Sequence, residues 1–195
     1  GTGTDTDPYT TLAAGNAAAV NPWDIVFVRY GTGAAYDAAK GLNTTFSPLA
    51  ANQYLIGNGA GFSIPTQCCG LIQIANASGL RPVLTNPSGA SIELKDGLVV
   101  NNFNIVGSQV GILGTGNLSS GIARPGLPPY GSATGAAVVN NVSITGTKLA
   151  NQTGIQLDNT TGQANFQNTV VTNMTKAGIA VNGGDPTVNF SGTIQ

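Results

Sequence analysis

Apolar and polar residues alternate with a period of two in short blocks along most of the chain, as in strands that turn one face to a core. In the first block Ile25, Phe27 and Arg29 point one way, and Val26 and Val28 the other, before Gly31-Thr32-Gly33 ends the run. Gln53-Tyr54-Leu55-Ile56-Gly57-Asn58-Gly59, Leu71-Ile72-Gln73-Ile74 and Pro82-Val83-Leu84 read as the next three strands. A helical period is found in one place, at Leu12, Ala13, Asn16, Ala19 and Val20. Asp7 as N-cap with Pro8 at the first helical position, and a stop at Asn21-Pro22, predict one short helix. Its expected task is to cover an open end of stacked strands, which would otherwise expose apolar side chains and strand edges. Residues 34–50 have no period and read as a long loop.

Beyond residue 90 the chain repeats itself. Val100-Asn101-Asn102-Phe103-Asn104-Ile105-Val106-Gly107 resembles Val139-Asn140-Asn141-Val142-Ser143-Ile144-Thr145-Gly146, and more loosely Phe166-Gln167-Asn168-Thr169-Val170-Val171-Thr172-Asn173. A second block follows each copy: Gly111-Ile112-Leu113-Gly114, Gly154-Ile155-Gln156-Leu157 and Gly178-Ile179-Ala180-Val181. Ala90-Ser91-Ile92-Glu93-Leu94 is a related block ahead of the first copy. A period of about 27 residues is that of stacked solenoid coils. Gly and Asn at the block ends fit corners that need positive φ. The expected fold class is therefore all-β: a right-handed single-stranded parallel β-helix with a short N-terminal capping helix. One domain spans residues 1–195, with the terminal turn and helix in 1–22 and a Gly/Pro/Ser-rich corner insertion at 117–135. The chain stops in what reads as another coil, so the C-terminus is expected to be truncated and the segment to belong to a longer polypeptide.

Composition narrows the class. Charged residues are 8% of the chain, against roughly 25% in an average soluble domain. In a stack of parallel coils like charges would stand one above another and repel, whereas Asn and Thr ladders carry no such cost. Seven basic and eight acidic side chains, spread thinly, form no basic patch for nucleic acid. No apolar run reaches the roughly 18 residues that a spanning helix needs, so no membrane insertion of this segment is expected. The chain contains no His, the commonest general base and zinc ligand. The adjacent Cys68 and Cys69 are expected as one packed and one exposed thiol. A vicinal redox pair is the sharper alternative.

The order of the early blocks resembles a known family. Gly1-Thr2-Gly3-Thr4, Asp7-Pro8-Tyr9-Thr10-Thr11-Leu12, Asp24-Ile25-Val26-Phe27-Val28, Gln53-Tyr54-Leu55-Ile56-Gly57-Asn58-Gly59 and Pro82-Val83-Leu84-Thr85-Asn86 are similar to the start of pectin-lyase-like β-helix passenger regions. Such regions occur in large bacterial surface proteins of the inverse-autotransporter, intimin/invasin type. The resemblance covers about the first half of the chain. It implies export to the bacterial outer surface and an adhesive or spacer role, with a carbohydrate or a host or neighbouring cell surface as partner.

Enzymes on β-helices set the rival expectation, a polysaccharide lyase or glycoside hydrolase. Such chemistry needs carboxylates gathered on neighbouring coils. The carboxylates are Asp5, Asp7, Asp24, Asp37, Glu93, Asp96, Asp158 and Asp185. Only Glu93 and Asp96 are close within one expected coil region, and strict alternation turns positions three apart to opposite faces unless Asp96 lies in a turn. Arg81-Pro82 and Arg124-Pro125 do not complete a lyase signature. No catalytic residue, metal site or cofactor is therefore assigned. Asp5 and Asp7 are a weak calcium pair. Ice binding is a third expectation, set against Thr145 and Thr147 drifting relative to Thr172 and Thr175. The ligand-facing candidates are Arg124 and Tyr130 in the corner insertion, a cation and an aromatic platform beside the stiff Pro128-Pro129 pair.

Overall fold

The computed structural model describes residues 7, 9–21, 23–30, 52–59, 61–66, 70–75, 79–118 and 136–195. In these the chain is mostly β, with one short helix. The helix α1 (Leu12–Ala18) opens on Thr11, whose Oγ1 accepts from the Ala14 amide at 3.1 Å. Thr11 is the N-cap, which corrects the expectation of Asp7: a capping side-chain oxygen reaches only the amides two or three residues ahead, and the helix begins at Leu12. Leu12 turns into the core, and the helix packs on β1 (Ile25–Val28).

Nine strands form one sheet in which every pairing is parallel. They are β1, β2 (Tyr54–Gly57), β5 (Val83–Leu84), β6 (Ala90–Leu94), β7 (Val99–Val106), β8 (Val110–Asn117), β9 (Ala137–Thr145), β10 (Thr153–Thr172) and β11 (Ala177–Ile194). A parallel sheet needs both faces covered, usually by helices. Seven residues of helix cannot do that here. The open sheet instead curls, so that its own strands face one another across the core. The first part of β10 pairs with β8 and its second part with β9, so one bent strand retraces two shorter ones. β11 then retraces β10 almost end to end.

The register stacks equivalent residues. Val26, Leu55, Val100, Val139, Phe166 and Phe190 form one inward column. Leu84, Ile105, Ile144, Val171 and Ile194 form another, and Ile92, Ile112, Ile155 and Ile179 a third. All three columns pack into a single core, except for Ile194 at the end of the second, which is half exposed. The repeats read from sequence are thus the sheet's own register: Val100 pairs with Val139 and Val139 with Phe166.

Two features depart from the sequence reading. β4 (Gly70–Ala75) pairs antiparallel with β3 (Phe62–Thr66) in a separate two-stranded sheet. The Leu71–Ile74 run is therefore not a strand of the parallel stack. A short apolar run carries no mark of its partner, and β3, interrupted by Pro65, carries no clean alternation. Cys68 and Cys69 lie outside the described residues.

The glycines of the Gly-Ile blocks also have a different cause. Gly111, Gly154 and Gly178 are absent from the positive-φ positions. They are small because of what they face. A Cβ at these sites would stand 2.5 Å from Ile144 Cγ2, 2.4 Å from Val171 Cγ1 and 2.4 Å from Ile194 Cγ2, respectively. Positive φ falls at other glycines, among them Gly97, Gly107 and Gly116, as expected of corners, and at Asn102 (63°), Asn141 (55°) and Asn168 (48°), which bend the strands at equivalent points. Asn is the non-glycine residue best suited to that region.

Candidate functional site

The residues on either side of the expected contact loop are described. β8 runs out at Asn117, and the Ala137 amide donates to the Leu118 carbonyl at 3.0 Å where β9 begins. Leu118 and Ala136 are fully buried. The last described residue before 119–135 and the first strand after it therefore lie side by side. Arg124 and Tyr130 themselves lie outside the described residues, as do Asp5 and Asp37.

Two polar arrays run across the strands; the first stands on the outer surface, and the second starts at the buried Asn101 and Asn102 and reaches the surface at Asn168 and Asn189. The first runs across β6, β8, β10 and β11. Ile155 and Leu157 are buried, so alternation turns Gln156 and Asp158 outward. Glu93 receives Lys95 Nζ at 2.6 Å and Thr115 Oγ1 at 3.3 Å. Thr115 is in register with Asp158, which accepts from Gln156 Nε2 at 2.6 Å and Asn182 Nδ2 at 2.7 Å. Glu93 and Asp158 are separated by β8, which puts their backbones about 10 Å apart along the stack. Asp96 does not join Glu93: β6 ends at Leu94 and Asp96 stands in the following turn, its carbonyl accepting from the Asn52 amide at 2.8 Å.

The second array is made of carboxamides. Asn140 Nδ2 donates to Asn101 Oδ1 at 3.4 Å, and Asn168 Nδ2 to Asn140 Oδ1 at 3.2 Å. Asn141 Nδ2 donates to Asn102 Oδ1. Asn189 Nδ2 and Gln163 Nε2 both reach Asn165 Oδ1, at 2.8 and 3.0 Å. Arg81 Nη2 donates to Asn141 Oδ1 at 2.5 Å and brings a cation to the edge of the array. This ladder was anticipated in kind. The Arg81 contact was not, because it joins residues 60 apart through no repeat.

A buried polar corner separates the arrays and has a structural task. Gln152 is fully buried; its Oε1 accepts from the Thr147 and Leu149 amides at 2.9 and 3.1 Å, and its Nε2 donates to the Ser108 carbonyl at 3.0 Å. Ser108 Oγ in turn accepts from the Asn86 amide at 3.0 Å and lies 2.6 Å from Ser91 Oγ. These bonds satisfy backbone groups that the turns leave without a ladder partner. Of the Thr residues weighed for ice binding, Thr145 and Thr172 stack in register, with their hydroxyls 3.4 Å apart. Thr175 instead bonds the corner, donating to the Leu149 carbonyl at 2.6 Å.

Chemically, the first array presents hydroxyl, carboxylate and carboxamide groups, and the exposed end of the second presents carboxamides, at the regular spacing of the strands. That arrangement can meet the hydroxyls of an extended polar chain such as a polysaccharide. Among the described residues no group of three or more Cys, Asp or Glu could hold a metal ion, and no helix is long and apolar enough to cross a membrane. Comparison with protein-family models, with curated proteins and with solved structures gives no match.

Proposed function

We propose that this chain is a right-handed single-stranded parallel β-helix that serves as a non-catalytic module of a secreted or bacterial cell-surface protein, a spacer with adhesive contacts. The observation that carries the reading is the register, in which β10 retraces β8 and β9 and β11 retraces β10. A chain that repeats its own path at a step of about 4.8 Å builds a stiff stack whose length grows with each coil. The handedness follows the general rule for parallel crossovers. The resemblance of the first half to inverse-autotransporter passenger regions supports export and surface display.

On this reading the stack holds the 117–135 insertion away from the rest of the protein, and Arg124 and Tyr130 meet a carbohydrate or a host or neighbouring cell surface there. The exposed end of the amide array, at Asn168 and Asn189, gives a second polar surface for the same kind of ligand. The purified chain is expected to bind a member of a polysaccharide panel without shortening it, and Arg124→Ala with Tyr130→Ala to weaken that binding at least threefold. Release of reducing ends or unsaturated sugars at an appreciable rate would overturn the non-catalytic reading in favour of a lyase or hydrolase. Glu93→Gln and Asp158→Asn would then show whether the outer carboxylates carry it.

A further inference from the structure

The described charges from residue 79 onward are sorted between two flanks of the stack. Glu93 and Asp158 stand on the flank built by β6, β8 and the first parts of β10 and β11. Asp185 is on β11, in register with Thr161, and Asp96 stands in the turn after β6. Residues 79–92, 97–157 and 159–184 contain no Asp or Glu. The flank built by β5 and the second parts of β7, β9 and β10 therefore carries no carboxylate.

Cations border that second flank. Arg81 precedes β5 and reaches Asn141 Oδ1 at the corner where β9 bends. Lys148 and Lys176 stand in the turns at the flank's other end, after β9 and β10. The two turns are joined: Thr175 Oγ1 donates to the Leu149 carbonyl at 2.6 Å, and the Lys176 amide to the Gln152 carbonyl at 2.9 Å. Both lysines are exposed, and Arg81 is half-buried. Among the described residues, none of the three cations is paired with a carboxylate, whereas Lys95 on the acidic flank is held by Glu93 at 2.6 Å. A guanidinium whose one partner is a neutral amide keeps donors for an oxyanion.

Between the cations the surface is built of small side chains. Phe103, Ile105, Val142, Ile144 and Val171 are buried, so alternation turns Asn104, Ser143, Thr145 and Thr172 outward. Asn104 is in register with Ser143, and Thr145 with Thr172. Asn141 and Lys148 are seven residues apart, a span of at most about 24 Å, which a short stretch of sugar chain covers. This surface is a side of the stack, so a coil added at either end would extend it without covering it.

Resting on the carbohydrate reading above, we propose that this flank binds an anionic polysaccharide. Its carboxylate or sulfate groups meet Arg81, Lys148 and Lys176, and its hydroxyls meet Asn104, Ser143, Thr145 and Thr172. The net charge of the chain is only −1, but sorting the signs onto separate flanks gives a field that steers an anion to one of them. Three separated cations with hydroxyls and amides between them suit a sparsely charged sugar chain. A nucleic acid brings a denser row of phosphates and bases that stack on aromatic rings, and the outward positions here carry no ring.

Polymers on one backbone separate charge from sugar. At low salt the 195-residue chain is expected to bind carboxymethyl dextran or dextran sulfate roughly tenfold or more tighter than neutral dextran, with the gap closing at about 0.5 M salt. The tighter of the two charged polymers identifies the acid group. Lys148→Asn with Lys176→Gln should weaken that binding roughly fivefold or more, with the melting temperature little changed. Both ammonium groups bond no described residue, and Asn tolerates the positive φ of Lys148 (65°). Arg81→Gln should also weaken it, and Arg81→Lys should restore part of the loss. Lys95→Gln, on the other flank, should leave it unchanged. Neutral dextran bound as tightly as the charged polymers, or binding that depends on Arg124 and Tyr130 but not on the two lysines, would overturn this assignment and leave the carbohydrate reading standing. Tighter binding of single-stranded DNA than of either charged dextran would also overturn it. Failure to bind any glycan would sink both.

Discussion

The first three strands of the main face and the last three share one interior and have opposite exteriors. Inward, Val26, Leu55 and Val100 continue into Val139, Phe166 and Phe190 without a change of character. Outward, the same strands carry Ile25, Tyr54 and Val99, then Val138, Asn165 and Asn189. The neighbouring outward column runs Phe27, Ile56, Asn101, Asn140, Gln167 and Ser191. Tyr54, Ile56 and Val99 are buried in a second apolar cluster with Trp23, Ile25, Phe27 and Val138 packed against it. Asn165 and Asn189 instead bond each other along a ladder. The inward face is set by the curl of the sheet and is alike everywhere. The outward face depends on whether a stretch of surface is covered, and it changes midway.

Substitutions can test each half of this contrast. The largest effect is expected in the shared interior: Phe166→Ala should lose about 3–5 kcal/mol in chemical denaturation, as a large side chain leaves a cavity in a closed core. Phe190→Ala, its neighbour at a ring-centroid distance of 6.4 Å, should lose well under half of that because one side is open. Next come reciprocal exchanges on the exterior. Ile56→Gln should cost about 2–3 kcal/mol, since it buries a carboxamide in the covered apolar cluster. Gln167→Ile, in the same column on the exposed side, should stay within about 0.5 kcal/mol of the parent. Equal effects would remove the contrast.

Gly154→Ala should cost about 1–3 kcal/mol by overpacking, because its Cβ would meet Val171 Cγ1 at 2.4 Å and the Gly178 carbonyl at 2.6 Å. Asn141→Ala should cost about 1–2 kcal/mol from its positive φ alone. Asn141→Gly separates conformation from side chain: recovery in thermal melts would assign the residue to the bend, and no recovery would assign it to the Arg81 and Asn102 contacts. The smallest effect is expected at the surface pair, where Lys95→Ala should lose no more than about 1 kcal/mol, and less in high salt.

Much of this arrangement was readable because coil-like repetition writes the register into the sequence. Once Val100, Val139 and Phe166 are aligned as equivalents, their stacking follows from strand alternation. The two carboxamide ladders follow as well, since Asn101, Asn140 and Asn102, Asn141 occupy the same places in the repeat. The hairpin of β3 and β4 was not readable, because antiparallel pairing of two short runs has no repeat to announce it. The helix start was displaced for a similar reason: Asp7-Pro8 and Thr11 both satisfy the local rule, and only the packing of Leu12 selects between them.

By itself the sequence determined where strands alternate, which residues are equivalent between repeats, and that charge is scarce. All of these are properties of spacing and composition, and they hold along the chain without reference to what it touches. Tertiary structure decided the rest. It set which glycines are small for space and which Asn residues bend the strand. It covered one outer surface and left the other wet, and it brought Arg81 to Asn141. Each of these depends on an atom from a distant part of the chain arriving within a few ångströms, and no local pattern encodes that approach.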